Sequence, residues 1–171
     1  MEIKLLGPLK PDPQIPEWLR SDPLKIPFFD DLKLCIILES PEESDVKDIE
    51  SAISSFLRLG PDDRLAISKY VYANYQKMTE LVDEEDIGCR IISEDEVWEH
   101  VHPSEIFISR RARRDKAIYV SITAECDWEP EHGLQIVYRK GSELTRVSDQ
   151  DSHLTHTDAY DLPEEQDQIV S

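Results

Sequence analysis

The feature that most narrows the possible folds is a change of hydrophobic spacing near the middle of the chain. Val46, Ile49, Ile53, Phe56 and Leu57 recur every three or four residues, which is the spacing of one helix face. Beyond residue 90 the apolar residues instead fall in short β-branched and aromatic runs between turn-formers. A single switch of this kind implies an α+β protein, with its helices segregated from most of its strands.

Local signals place the elements. From Phe28 to Glu39, Leu32, Leu34, Ile36 and Leu38 alternate with Lys33, Cys35 and Ile37, the pattern of a mostly buried strand. Ser40, Pro41 and Glu43 read as a cap, a first-turn proline and an acid that together open a helix, and Gly60-Pro61 closes it. Asp62 and Asp63 place negative charge in the first turn of a second helix carrying Leu65, Tyr72, Tyr75 and Met78, so residues 44–81 are expected to form a helical hairpin. The stripe Tyr70, Tyr72, Tyr75 fits a core and its rim. Asp83 to Asp86 lacks the alternate ligands and distal glutamate of a calcium loop and reads as a solvated turn. Segments Ile91 to Val101, Glu105 to Ser109, Ala117 to Glu125, Leu134 to Arg139 and Glu143 to Ser148 are expected to make an antiparallel meander sheet. Lys140-Gly141 is its sharpest turn signal, and a symmetric reversal there sets Leu134 opposite Val147.

A chain of 171 residues suits one domain. Six of the eleven prolines fall in the first 27 residues, which marks 1–27 as an extended arm. Its apolar residues Ile15, Trp18, Leu19 and Leu24 imply that it lies on the domain or reaches a second subunit to make an oligomer. Residues 28–160 form the single α+β domain, and 161–171 an acidic tail expected to fray.

The formal net charge of -18 repels phosphate backbones and anionic headgroups, which argues against nucleic acid and membrane partners and favours a basic protein. Cys35, Cys89 and Cys126 are few, odd in number and widely spaced, the usage of reduced cytoplasmic thiols. The first ten residues lack the basic start and apolar run of a signal peptide, and no stretch is long and apolar enough to span a bilayer. Gly-rich phosphate loops and nucleophile elbows are absent, so no catalytic residue is assigned, and Cys126 at the end of a strand reads as a buried hydrophobe.

The polar residues of interest lie at the open end of the expected hairpin. There the loop Trp128, Glu129, Glu131, His132 approaches Asp149, Asp151 and His153, with His156 nearby. Carboxylates and imidazoles in one place can bind a divalent metal or pair for acid–base work, and Glu131, His132, Asp149, Asp151 and His153 are the candidate ligands. The spacing matches no specific metalloenzyme pattern, and the same residues also suit local turn hydrogen bonds. Arg110, Arg111, Arg113 and Arg114 form a cationic patch that suits an anion, a partner's carboxylates, or the chain's own acidic helices and tail.

The stretch from Arg113-Arg114-Asp115 through Ile118-Tyr119-Val120, the loop Cys126-Asp127-Trp128-Glu129-Pro130-Glu131-His132-Gly133-Leu134, and Leu144-Thr145-Arg146-Val147-Ser148 to Asp151, Ser152 and His153 resembles an uncharacterised bacterial family. Its signature is a Trp-Glu-x-Glu-His-Gly loop followed by a hairpin, and the resemblance covers about the last third of the chain. Ser152 stands where that pattern leads one to expect glycine. Such families are sometimes associated with toxin–immunity systems, but the resemblance implies no established activity. The negative field and the absence of a specific catalytic motif favour a non-enzymatic, immunity-like or regulatory protein-binding module, with a metal-dependent hydrolase or small-ligand binder at Glu131, His132, Asp149, Asp151 and His153 as the alternative.

Overall fold

A computed structural model describes residues 1–82 and 87–171; the acidic stretch Asp83 to Asp86, expected as a solvated turn, lies outside them. Among the described residues, eight strands form one mixed sheet, seven in the order β1-β2-β4-β5-β6-β7-β8 with β3 paired to β4 off that path. They are β1 (Lys10–Pro11), β2 (Leu19–Arg20), β3 (Leu24–Ile26), β4 (Leu32–Leu38), β5 (Val101–Arg110), β6 (Ile118–Cys126), β7 (Leu134–Arg139) and β8 (Glu143–Asp149). The fold is therefore α+β and sheet-rich. From β5 to β8 every pairing is antiparallel, as a meander requires.

β4 joins this meander in parallel, with Ile36 opposite Ile106 and Leu38 opposite Ile108. A parallel pair needs a long crossover, and residues 39–100 supply it. They carry α1 (Val46–Phe56), α2 (Pro61–Ala66) and α3 (Ser68–Leu81) across one face of the sheet. α1 rests on β6 and α3 on β8, while α2 sits on the turn Pro27–Phe29. Ile49, Ile53, Phe56 and Val71 thereby cover Ile36, Ile106, Ile122 and Ile136, all buried in one core. Burial of side chains this size contributes about 1.5–3 kcal/mol each, so this face holds the domain together.

Several local expectations change. Ser40 has a left-handed backbone (φ 44) and cannot adopt the extended conformation of a cap. The helix starts later, after a short 3-10 turn in which the Glu42 amide donates to the Asp45 carboxylate. The expected strand from Ile91 is a loop and a 3-10 turn, Val97–His100, and strand pairing begins at Val101. Trp98 explains the turn: its indole donates to Ser68 Oγ at 2.8 Å and its ring packs on Phe28 and Phe29.

The proline-rich arm pairs along β4 through β2 and β3, in strands of two and three residues. Proline supplies no amide for a ladder, which keeps such strands short and at an edge. Ile3, Leu6 and Ile26 join the main core. At the other end the chain does not fray. Val147 donates to the Ile169 carbonyl, Ser171 donates to the Val147 carbonyl, and Arg146 Nε donates to Ser171 Oγ at 2.7 Å.

The hairpin register also differs from the symmetric reading. Arg139 pairs with Glu143 around the three residues Lys140, Gly141 and Ser142, and a bulge follows between Val137 and Tyr138. Together these shift the strands by two residues, so Ile136 faces Val147 and Leu134 faces Asp149. Gly141 is needed at the turn for two reasons. Its φ is 79, and a Cβ there would lie 1.9 Å from the Ala52 carbonyl oxygen of α1.

Candidate functional site

The pairing of Leu134 with Asp149 does bring the ends of loops 128–133 and 148–153 to one end of the sheet. Within that region the polar residues take separate tasks. Trp128 is buried, its indole donating to Asn74 Oδ1 at 3.0 Å and its ring edge-on to Tyr75. Glu129 is buried beneath its own turn, where Oε1 accepts the amides of Glu131 and His132 at 3.1 and 3.2 Å. Its ring neighbour is His132, with Nδ1 at 3.4 Å, while Glu131 and His132 are otherwise exposed.

Strand alternation separates the remaining members. Asp149 shares the helix-covered face with its cross-strand partner Leu134 and accepts from Asn74 at 3.5 Å. Arg146 points to the opposite face, is 2% exposed, and binds both oxygens of Asp151 at 2.6 and 2.7 Å. Burial pushes the Asp151 carboxyl up, but Arg146 overcomes this and leaves its pKa lowered. His153 lies 3.3 Å from Asp151, and its carbonyl accepts from Arg146 and Gln135. His156 is held by Gln168 and stacks on Tyr160. Among the described residues, no three His, Cys, Asp or Glu side chains are arranged to hold a metal ion.

The arginine patch is turned inward. Arg110 binds Asp45 and Asp48 at the start of α1, each at 2.8 Å. Arg111, 3% exposed, binds Asp158 at 2.7 Å and Glu164 at 2.9 Å; Arg114 also binds Glu164. These contacts fasten α4 (His156–Tyr160) and the turn after it to the sheet. Arg113 is exposed. The Cys126 thiol is pushed up to about 12 by burial, which leaves it inert as a nucleophile at neutral pH.

Two arrangements were not anticipated. His100 and His102, alternate residues entering β5, each place a ring nitrogen on one oxygen of Asp127, at 2.8 and 2.9 Å. Those hydrogen bonds hold the Asp127 carboxyl below its usual range. The second arrangement is a groove on the face opposite the helices. Its floor is Phe107, Ser109, Ser121, Thr123 and Gln135; its walls are Trp18 of the arm and Gln150, Ser152 and Leu154 of the C-terminal segment. A smaller cavity of about 170 Å³ and a more open one of about 560 Å³ share Trp18, Glu39 and Ser109. Glu39 lies beside Ser109, and burial raises its carboxyl pKa. The signal in the sequence was the polar set Ser121, Thr123 and Gln135 alternating with Ile122 and Ile136. That alternation reads equally as a solvated face, and only the flanking arm and tail turn it into a groove.

Residues 5–154 match the DUF6985 family, described as a domain of unknown function, and the chain belongs to that family. The match extends far beyond the C-terminal third and includes most of the arm and α1 to α3. Comparison with curated proteins and with solved structures gives no match.

Proposed function

We propose that this member of the DUF6985 family is a non-enzymatic protein-binding module of the bacterial cytoplasm, immunity-like or regulatory in kind, whose negative field meets a basic partner. The observation that carries this reading is the fate of the positive charge. Arg20, Arg110, Arg111, Arg114, Arg139 and Arg146 all lie on the chain's own carboxylates. These six arginines thus brace the fold, and the chain as a whole keeps its net charge of -18. A field of this size and sign raises the encounter rate with basic surfaces and repels acidic ones. No helix among the described residues is long and apolar enough to cross a membrane, which is compatible with this setting.

The test is retention from a bacterial extract on the immobilised chain across a series of ionic strengths. The reading expects a small set of basic proteins held at low salt and released as salt rises. Retention of nothing, or of acidic and neutral proteins regardless of salt, contradicts it.

A further inference from the structure

We infer that the groove across the open face of the sheet is a receptor for one guanidinium or ammonium group, held by the Glu39 carboxylate beside the Trp18 ring. Where that group belongs to a protein side chain, the inference rests on the basic-partner reading above and locates its site. Where it belongs to a small organic cation, it stands independently.

The first support is a carboxylate with no counter-charge. Glu39 lies beside Ser109 at the junction of the two cavities, and among the described residues no cation pairs with it. Arg110 and Arg111 line the larger cavity too, yet their guanidinium groups are turned to Asp45, Asp48, Asp158 and Glu164. A partly desolvated carboxylate left in this state is completed by a cation that enters from solvent.

The second support is independent of charge. Ser121 is 7% exposed and lines the smaller cavity, and its hydroxyl makes no hydrogen bond to any described residue. Its oxygen is not closed off from solvent, so the hydroxyl is free to bond a ligand that enters the cavity. Beside it Gln135 uses its amide nitrogen on the His153 carbonyl, which leaves its oxygen as an acceptor. The groove therefore presents a carboxylate, a hydroxyl and an amide oxygen.

These acceptors define the ligand class. Guanidinium and ammonium groups carry only donors, five and three respectively, whereas a carboxylate or phosphate ligand brings only acceptors and would face Glu39. Trp18 supplies the remaining contact. Its ring is braced edge-on by Phe107, with centroids 6.0 Å apart, and an indole face is the best aromatic partner for a cation. The smaller cavity, about 170 Å³, suits the head of one side chain rather than a whole cofactor.

Titration calorimetry on the full chain tests this with four probes: butylguanidine, N-acetyl-arginine-N-methylamide, its lysine counterpart, and the uncharged citrulline isostere. The inference expects saturable one-to-one binding of a cationic probe, with the citrulline compound at least about tenfold weaker. Butylguanidine binding as tightly as the capped arginine identifies a small cation as the natural source, and a tighter capped arginine identifies a protein side chain. Glu39→Gln should weaken the cation at least about tenfold, and Ser121→Ala by about threefold, with thermal midpoints confirming that both variants fold. Absence of saturable binding by all three cations, or equal affinity for citrulline, overturns the inference. Equal affinity in Glu39→Gln does the same. If Glu39→Gln leaves a salt-sensitive complex with a basic protein intact, the groove fails while the module reading stands. If the groove binds cations but no basic protein is retained, the module reading fails while the groove stands.

Discussion

Glu39 and Arg146 both face the open side of the sheet, and they show opposite ways of burying a charge. Arg146 is enclosed by Asp151, Ser171 and the His153 carbonyl. Asp151→Asn leaves this guanidinium buried without its counter-charge, and chemical denaturation should show a loss of about 2 kcal/mol. That is below the 3–5 kcal/mol typical of a fully buried pair, because Asp151 is partly exposed and already screened. Glu39 lacks such a partner, and its raised pKa means that the folded chain binds its proton more tightly than the unfolded chain does. Stability linked to Glu39 is therefore greatest in acid and declines as pH rises from its ordinary value of 4.5 through the raised one. Glu39→Gln should raise the thermal midpoint at neutral pH and lose that advantage in acid, as parallel melts at the two pH values would show. A residue whose replacement stabilises the fold is one retained for something other than folding.

At the scale of elements, what the sequence discloses depends on how local the signal is. The helical spacing of Ile49, Ile53 and Phe56 and the alternation in Leu32–Leu38 are local, and both elements appear in those segments. Strand partners are not local. Nothing in the run Leu32–Leu38 states that it pairs in parallel with a segment 70 residues later, since that depends on the crossover. The hairpin illustrates the same limit. Lys140-Gly141 marked the turn, but the bulge at Val137/Tyr138 that completes the two-residue shift has no composition signal of its own. Arg146 and Asp149 were therefore legible as polar residues near a turn, while their assignment to opposite faces was not. The importance of Gly141 gives a direct check. Gly141→Ala must strain a positive φ and displace the Ala52 carbonyl, and should cost about 2–4 kcal/mol in chemical denaturation. A change below about 0.5 kcal/mol would mean that the turn does not pack on α1 as described.

For the molecule as a whole, a net charge of -18 opposes compaction even though the internal ion pairs brace particular contacts. Moderate salt screens the long-range repulsion more than it weakens the buried pairs at Arg111 and Arg146. The thermal midpoint should accordingly rise between low and physiological ionic strength; a steady fall would show that exposed ion pairs, rather than repulsion, dominate. Two candidate faces differ in what they offer a ligand. The loops at 128–133 and 148–153 are polar but internally satisfied, whereas the groove between Trp18 and Leu154 offers acceptors to solvent.

The most direct test is the nitrogen–proton correlation spectrum of the labelled chain titrated with a short arginine-containing peptide at low ionic strength. The account predicts saturable shifts at the Trp18 indole and at the amides of Glu39, Ser109, Ser121 and Gln135, all reduced in Glu39→Gln. Shifts confined to loops 128–133 and 148–153, or scattered over the acidic surface without saturation, would contradict it.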